Sequence, residues 1–277
     1  MKINHYDSYR SFIDKMAAVY PDKPHYHDAD FAGVDTFEEA YALARGGWHD
    51  RSNDVRELSD TLMDQFERKA GLSMTQQWDM VGGAFDYQTY LAGDPDCMSE
   101  FRETRQRQAG RIFRMLIDPG GNGMVSARFL MNRAAAIVTL LDIIQRSGNS
   151  LELWIASPVK KLLPDREEPL TPLFCLHPAG GVVDLDSIMF ACGHPSFLRW
   201  MVFTDRHRTT RRTSHSFGKS VPLRTCDELL QIVEPDYLVE RSEHVGYDEP
   251  SAGDNPEGWI MHTLEQLGVL DNEEELV

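Results

Sequence analysis

The segment from Arg111 to Ser157 constrains the fold of this chain more than any other. An apolar strand at 112–117 is followed by the glycine-rich turn 118–123, a long apolar helix and a second strand at 151–155. A strand, a tight turn, a helix and a further strand predict a β-α-β unit, the usual start of a parallel sheet.

Two further strands are predicted after this unit, at 173–176 and at 199–203, with a short helix between them. The expected fold class is therefore α/β, with a mainly parallel sheet and flanking helices. This core is predicted to span residues 105–225. A helical and irregular region, 1–104, precedes it, and an acidic extension, 226–277, follows it.

The central helix, at about 124–146, carries a narrow polar strip on an otherwise apolar surface, so most of it is predicted to be covered. Ser126 and Arg133 point away from that strip into what should be protein. A buried arginine needs a carboxylate or carbonyl partner, and we favour structural pairing over a ligand contact. Earlier in the chain, Thr36 and Glu39 predict a capping box at a helix start.

Composition excludes some classes of protein. The net charge of -16 argues against general coating of nucleic acid and against adsorption to anionic membranes. Four cysteines without CxxC spacing indicate buried thiols in a reducing compartment rather than disulfides or structural zinc. With neither a signal-type start nor a long apolar run, a soluble cytoplasmic protein without cofactors is expected.

Charge is segregated near the C-terminal end. Residues 199–224 carry seven basic side chains and one acid, whereas residues 227–277 carry fifteen acids and one base. The basic segment predicts contacts to single-stranded nucleic acid, either to phosphates or by stacking on bases. The residues concerned are Arg206, Arg208, Arg211, Arg212, Lys219, Arg224, Trp200 and Phe217. An internal ion-pair surface would explain the same segment equally well.

The predicted strand ends carry Asp118, before the glycine turn, and Thr204-Asp205. Together they resemble a von Willebrand factor A domain, in which an aspartate ends the first strand before a hydroxyl-rich loop and a long helix. A Thr-Asp-Gly corner ends a later strand. Gly120 and Asn122 replace the serines of the family motif, and the mid-chain threonine has no clear counterpart.

The resemblance covers residues 110–206 and implies a Rossmann-like sheet with a protein-binding role. It also implies a ligand site that is degenerate or has lost its metal. The residues of that site are Asp118, Asn122, Asp184, Asp186, Thr204 and Asp205.

Three further stretches resemble an uncharacterised family of tailed-phage proteins: residues 38–48, 86–98 and 132–136. No agreed activity comes with this resemblance. By association with other phage accessory proteins of this size, we expect a role in transcription or replication by a phage polymerase, in the host cytoplasm.

Three functions follow as hypotheses. The first is a non-enzymatic phage adaptor that binds a protein partner, such as a phage or host polymerase. The second is an accessory factor that binds single-stranded nucleic acid, DNA included, through the basic segment. The third is a metal-dependent hydrolase that would use Asp118, Asp184, Asp186, Asp205 and His177. The sequence predicts no oligomeric state.

Overall fold

A computed structural model describes most of the chain. The described residues are 1–20, 33–49, 53, 56–57, 60–64, 74–79, 84–85, 98–103, 110–120, 125–160, 168–207, 219–241 and 250–270. The chain divides into two compact units, one of Met1–Met63 with Gly110–Val277 and one of Asp64–Ala109.

The strands, in chain order, are β1 (Lys2–His5), β2 (Met74–Asp79), β3 (Ala84–Phe85), β4 (Met98–Glu103), β5 (Ile112–Ile117), β6 (Ser150–Ala156), β7 (Val159–Lys160), β8 (Leu170–His177), β9 (Lys219–Ser220) and β10 (Tyr237–Val239). The helices are α1 (Tyr9–Val19), α2 (Phe37–Gly46), α3 (Ala127–Arg146), α4 (Leu185–Gly193), α5 (Phe203–His207), α6 (Asp227–Val233) and α7 (Pro256–Gln266). A π-helix spans Phe197–Val202 and a 3-10 helix spans Leu223–Thr225.

The larger unit is built on a five-stranded sheet with the order β1-β8-β6-β5-β10. Strands β6, β5 and β10 are parallel to one another, β1 is parallel to β8, and β8 is antiparallel to β6. The α/β class and the mainly parallel sheet are confirmed. The two edge strands, β1 and β10, come from outside residues 105–225.

The predicted β-α-β unit is confirmed as β5, α3 and β6, and the first strand has the predicted bounds. Ser126 is the N-cap of α3, and its Oγ accepts a hydrogen bond from the Phe129 N–H at 3.1 Å. This capping role explains why Ser126 departs from the polar strip of the helix. The predicted capping box of Thr36 and Glu39 is also present, at the start of α2.

The predicted strand at 199–203 is wrong. These residues belong to the π-helix and to α5, so Thr204 and Asp205 lie in a helix rather than at a strand end. Nearly the whole segment is buried, Phe197, Trp200 and Val202 included. A short apolar run that is buried on all sides has no periodicity that separates a strand from a helix. The hydrophobic pattern of residues 199–203 was therefore assigned to a strand.

Helices cover both faces of the five-stranded sheet. On one face, Leu229 and Val233 of α6 pack in a cluster with Leu116 and Leu173 of the sheet. On the other face, Phe174, the neighbour of Leu173, stacks on Phe12 of α1 with ring centroids 4.6 Å apart. Successive residues of a strand point to opposite faces of the sheet. Leu173 therefore faces the layer that contains α6, and Phe174 faces the layer that contains α1.

The smaller unit contains an antiparallel sheet with the order β2-β4-β3. The sequence predicts a packed loop for residues 78–98. In the described part of that stretch the prediction is wrong, because Trp78-Asp79, β3 and Met98 belong to strands.

Candidate functional site

Three parallel strands end at the same edge of the sheet. Asp118 directly follows β5, Ser157 directly follows β6, and Arg241 lies just beyond β10. In open α/β sheets, ligands bind at the carboxyl ends of the strands, where the loops diverge. This edge is therefore the first candidate site, and its side chains are buried.

The Asp118 carboxylate at this edge is completely buried and is held by groups of the protein itself. Arg241 donates from Nε to Oδ2 at 3.1 Å and from Nη2 to Oδ1 at 3.3 Å. Oδ1 also accepts from the Ser157 hydroxyl at 3.1 Å and from the Gly120 N–H at 2.9 Å. The guanidinium of Arg241 thus supplies the positive charge that a buried carboxylate requires.

Gly120 is needed for this arrangement, since a Cβ at position 120 would collide with the guanidinium of Arg241. Glycine rather than a larger residue at position 120 therefore has a structural reason. A serine there would displace the cation that neutralises Asp118. Asn122, also predicted for the degenerate ligand site, lies outside the described residues.

Arg206 and Trp200 are buried rather than presented to solvent. Nη2 of Arg206 donates to the carbonyl oxygen of Ser157 at 2.9 Å and to its hydroxyl at 2.8 Å. The Trp200 indole N–H donates to the Val34 carbonyl at 3.3 Å, and the side chain is 2% exposed. Neither side chain is accessible to a nucleic acid in this structure.

The other residues of the predicted nucleic-acid set are not brought together by the described structure. Lys219 begins β9, and Arg224 is exposed on the 3-10 helix. The remaining four, Arg208, Arg211, Arg212 and Phe217, lie outside the described residues.

Arg133 reaches the same edge of the sheet from α3 and is bound by carbonyl groups. It donates twice to Cys192 O, at 3.0 and 2.7 Å, and also to Pro119 O at 2.8 Å and Gly120 O at 3.1 Å. Structural pairing with carbonyl partners, as predicted for a buried arginine here, is confirmed. The guanidinium ties the end of α4 to the turn after β5.

The acids of the predicted degenerate site have separate partners. Asp184 caps α4 and accepts from Ser187 N at 3.1 Å, whereas Asp186 pairs with His49 Nδ1 at 3.1 Å. The Thr204 hydroxyl donates to the Trp200 carbonyl, and Asp205 accepts from Tyr6 and Asn4. Within the described ranges, no three His, Cys, Asp or Glu side chains lie together as metal ligands.

The described cysteines are poor nucleophiles. Burial raises the pKa of Cys192 to about 12 and the pKa of Cys175 to about 11. Burial also raises the pKa of Cys226. Thiols with such pKa values stay protonated near neutral pH, and the reactive species of a cysteine is the thiolate. Burial lowers the pKa of His177, so this imidazole tends to be neutral.

A second candidate site is a groove of about 520 Å³ along β10, on the outer side of the sheet. It is lined by Arg224, Leu230, Glu234, Pro235, Asp236, Tyr237, Leu238, Glu240, His262 and Gln266. These residues come from α6 and the 3-10 helix, from β10 and its flanks, and from α7. The apolar residues of the lining are half-buried, and the lining includes three acids, Glu234, Asp236 and Glu240.

Sequence reasoning missed this groove because it missed β10. The strand has only three residues, and it lies in a segment that was predicted only as an acidic extension. The available signal was Pro235-Asp236 followed by the apolar run Tyr237-Leu238-Val239, a turn residue before a short strand.

Comparison with curated proteins finds no match, and comparison with solved structures finds none either. Among the helices that the structure describes, none has the length and apolar character needed to span a membrane. One family model, described as a domain of unknown function (DUF7192), matches residues 2–271. That match covers nearly the whole chain, and the protein is therefore a member of the DUF7192 family.

Proposed function

We propose that this protein is a non-enzymatic adaptor that binds a partner protein in the groove along β10. The observation that carries the proposal is the groove itself, whose floor is an edge strand. Edge strands expose backbone N–H and C=O groups that can pair with another chain. Apolar side chains beside such an edge, as at Leu230 and Leu238, add area that gains by leaving water.

The strand-end network supports binding rather than hydrolysis. In our proposal the core is von Willebrand factor A-like, with Asp118 at the end of β5 and a long apolar helix after the turn. The position where a metal ion would neutralise Asp118 is taken by Arg241, at 3.1 Å. The tailed-phage resemblance supplies the proposed setting, an accessory role beside a phage or host polymerase.

The adaptor function can be tested by capture of host and phage proteins on the immobilised chain. We expect Glu234→Lys to lose the captured partner, because it reverses a charge on the groove without touching the core; the Glu234 side chain is 75% exposed. Glu228→Lys is the matched control. It makes the same charge change on α6 at an exposed position that does not line the groove. Equal capture by both variants would contradict the proposal.

The metal-dependent hydrolase is the alternative that divalent ions can test. We expect Mg²⁺ and Mn²⁺ to leave the melting temperature of the protein unchanged, because both Asp118 oxygens already accept bonds from protein donors. Asp184 and Asp205 are engaged elsewhere. A rise in melting temperature that Asp205→Ala abolishes would favour the hydrolase instead.

The nucleic-acid alternative remains a separate proposal for the basic segment, residues 199–224. Its test is a fluorescence titration with labelled single-stranded and duplex DNA across a salt series, beside the Arg211→Ala/Arg212→Ala variant. Binding that weakens with salt and disappears in the variant would establish the basic segment as a nucleic-acid site. Absence of binding at low salt would remove this function for the isolated protein.

A further inference from the structure

The antiparallel pairing of β6 with β8 contains a β-bulge. Trp154 of β6 lies opposite Cys175 of β8. The preceding residue of β6, Leu153, lies opposite His177. β8 therefore has one extra residue, Leu176, between these two pairs. Bulges of this kind direct a side chain to a different face of the sheet.

The bulge decides which face of the sheet His177 occupies. Cross-strand partners share a face, and alternation along β6 places Leu153 on the same face as Ile155. Ile155 lies opposite Phe174, which stacks on a phenylalanine of α1. His177 therefore lies on the face of the sheet on which α1 packs.

The imidazole of His177 is buried on that face. The residue is 2% exposed, and in the part of the chain that the structure describes its Nε2 has no hydrogen-bond partner. Burial lowers the pKa of His177, and the charge of Glu152 opposes this effect. The site therefore favours the neutral imidazole, because a buried imidazolium needs an acceptor or a counter-charge.

The titratable groups of the two strands do not supply that counter-charge. Glu152 of β6 lies on the opposite face of the sheet and pairs with Arg114 of β5 at 3.2 Å. Burial raises the pKa of Cys175, on the same strand as His177, to about 11, so its thiol is neutral. Neither group can accept a hydrogen bond from a charged His177 in the bulged register.

The titratable groups on the helical side are engaged as well. The Tyr9 hydroxyl of α1 donates to the Ala44 carbonyl at 2.9 Å, and burial raises the pKa of Tyr9. Asp184, at the start of α4, accepts from the Ser187 N–H at 3.1 Å and from its hydroxyl at 2.7 Å. Protonation of His177 in the bulged register would therefore bury a cation beside groups that already have other partners.

An uninterrupted ladder would give the protonated imidazole a partner. Without the extra residue, Leu176 would lie opposite Leu153, and the next pair would be His177 with Glu152. Leu176 would then take the place on the buried face, and His177 would move to the half-exposed face of Glu152. Oppositely charged side chains directly across an antiparallel pair attract each other.

The surroundings can accommodate this change of register. Arg114, the present partner of Glu152, also pairs with Glu234 at 3.5 Å. The Glu152 carboxylate can therefore accept from an imidazolium while the guanidinium keeps a partner. The loop after β8 can take up the displacement of one residue, about 3.4 Å. It contains Gly180 at a φ of 69° and Val182, which is 97% exposed.

We infer that His177 is a pH switch: its protonation shifts the end of β8 by one residue along β6 and removes the bulge, and its deprotonation restores the bulge. The shift is expected below the ordinary pKa of histidine, about 6.5, because burial favours the neutral form in the bulged register. Acid thus adds a positive charge to the face that carries Glu152. β8 is separated from β10 by two strands, and the inference does not depend on the proposed adaptor function.

NMR spectroscopy of the full chain at about pH 7.5 and about pH 5 tests this switch, since cross-strand NOEs report which residues lie opposite each other. At the higher pH we expect Leu153 to lie opposite His177. At the lower pH, Leu153 should lie opposite Leu176. His177 should then lie opposite Glu152, and its imidazole resonances report its protonation in the same samples.

Two variants and a control separate the switch from a general effect of acid. His177→Leu should keep the bulged register at both pH values, because it cannot be protonated. Glu152→Gln should lower the population ratio of shifted to bulged register at the lower pH about fivefold, since the amide carries no charge. Asp142→Asn is the matched control: Asp142 also pairs with an arginine, on α3, and this variant should shift as the wild type does.

The inference has three outcomes that would overturn it. The first is a wild-type chain that keeps the bulged register at about pH 5, whether or not His177 is protonated. The second is a shift that also occurs in His177→Leu. The third is loss of the cross-strand NOEs beyond Cys175 without new ones, which would show that the strand end unfolds instead. Glu152→Gln leaves His177 in place, so the test does not rest on a core variant alone.

Discussion

Replacement of Arg241 by methionine is expected to lower the free energy of unfolding by about 3–5 kcal/mol. The variant leaves the Asp118 carboxylate buried without the guanidinium that binds both of its oxygens. It also removes the bond of 3.1 Å from Arg241 Nη2 to the Ser157 hydroxyl. Urea denaturation followed by circular dichroism measures the loss. The urea concentration at the midpoint of unfolding should fall, whereas the dependence of the free energy of unfolding on urea concentration should not change.

Arg146→Met serves as the control for this variant. Arg146 also pairs with an aspartate, Asp142, but both side chains are largely exposed, and such helix pairs contribute only about 0.5 kcal/mol. The double variant Asp118→Asn/Arg241→Met should recover part of the lost stability, because no unpaired buried charge remains. A double variant as unstable as Arg241→Met alone would show that the buried charge is not the cause.

The parts of the fold that local signals define could be predicted from the sequence. The strand at 112–117, the helix after the glycine turn and the next strand follow each other directly, so hydrophobic periodicity was sufficient. The capping box at Thr36 likewise depends on side chains three residues apart. Such short-range patterns can be assigned to a strand, a helix or a helix cap without knowledge of the tertiary fold.

The candidate sites depend on long-range pairing and could not be predicted in the same way. Asp118 was identified as a strand-end carboxylate, but its partner Arg241 is 123 residues away in the sequence. Arg241 looked like the single base of an acidic extension. Its place at the strand ends follows only from the parallel pairing of β10 with β5. A three-residue strand gives too little periodicity to reveal that pairing.

The basic segment illustrates a related difficulty, because charge in a sequence does not establish exposure. Arg206 belongs to a run with a strong excess of positive charge, yet its guanidinium is buried against Ser157. Arg133 was correctly assigned a structural role because its position on an apolar helix indicated burial. Helical periodicity predicted burial for Arg133, whereas the irregular environment of Arg206 gave no such indication.

A close approach of two helices creates the binding site of Arg133. A Cβ at Gly193, the last residue of α4, would lie 2.8 Å from the Ala134 Cβ and 3.2 Å from the Leu130 carbonyl of α3. Glycine therefore lets the end of α4 lie against α3. Because the two helices lie this close, the Cys192 carbonyl can accept hydrogen bonds from both Nε and Nη2 of Arg133.

Replacement of Arg133 by methionine is accordingly expected to lower the free energy of unfolding by about 3–5 kcal/mol. The loss leaves the buried carbonyls of Cys192, Pro119 and Gly120 without their charged donor. Arg133→Lys should recover only part of the stability, because a single ammonium cannot reproduce the planar fork of donors. Thermal and urea denaturation of both variants measure these changes.

Arg128→Met provides the matched control on the same helix, since Arg128 is exposed. Its effect should stay within about 0.5 kcal/mol. Amide hydrogen exchange adds a local readout: the Gly120 N–H, which donates to Asp118 at 2.9 Å, should exchange faster in Arg133→Met. If Arg133→Met were as stable as Arg128→Met, water would be able to replace the guanidinium at the carbonyls of Cys192, Pro119 and Gly120. The position of the turn after β5 would then not depend on α4.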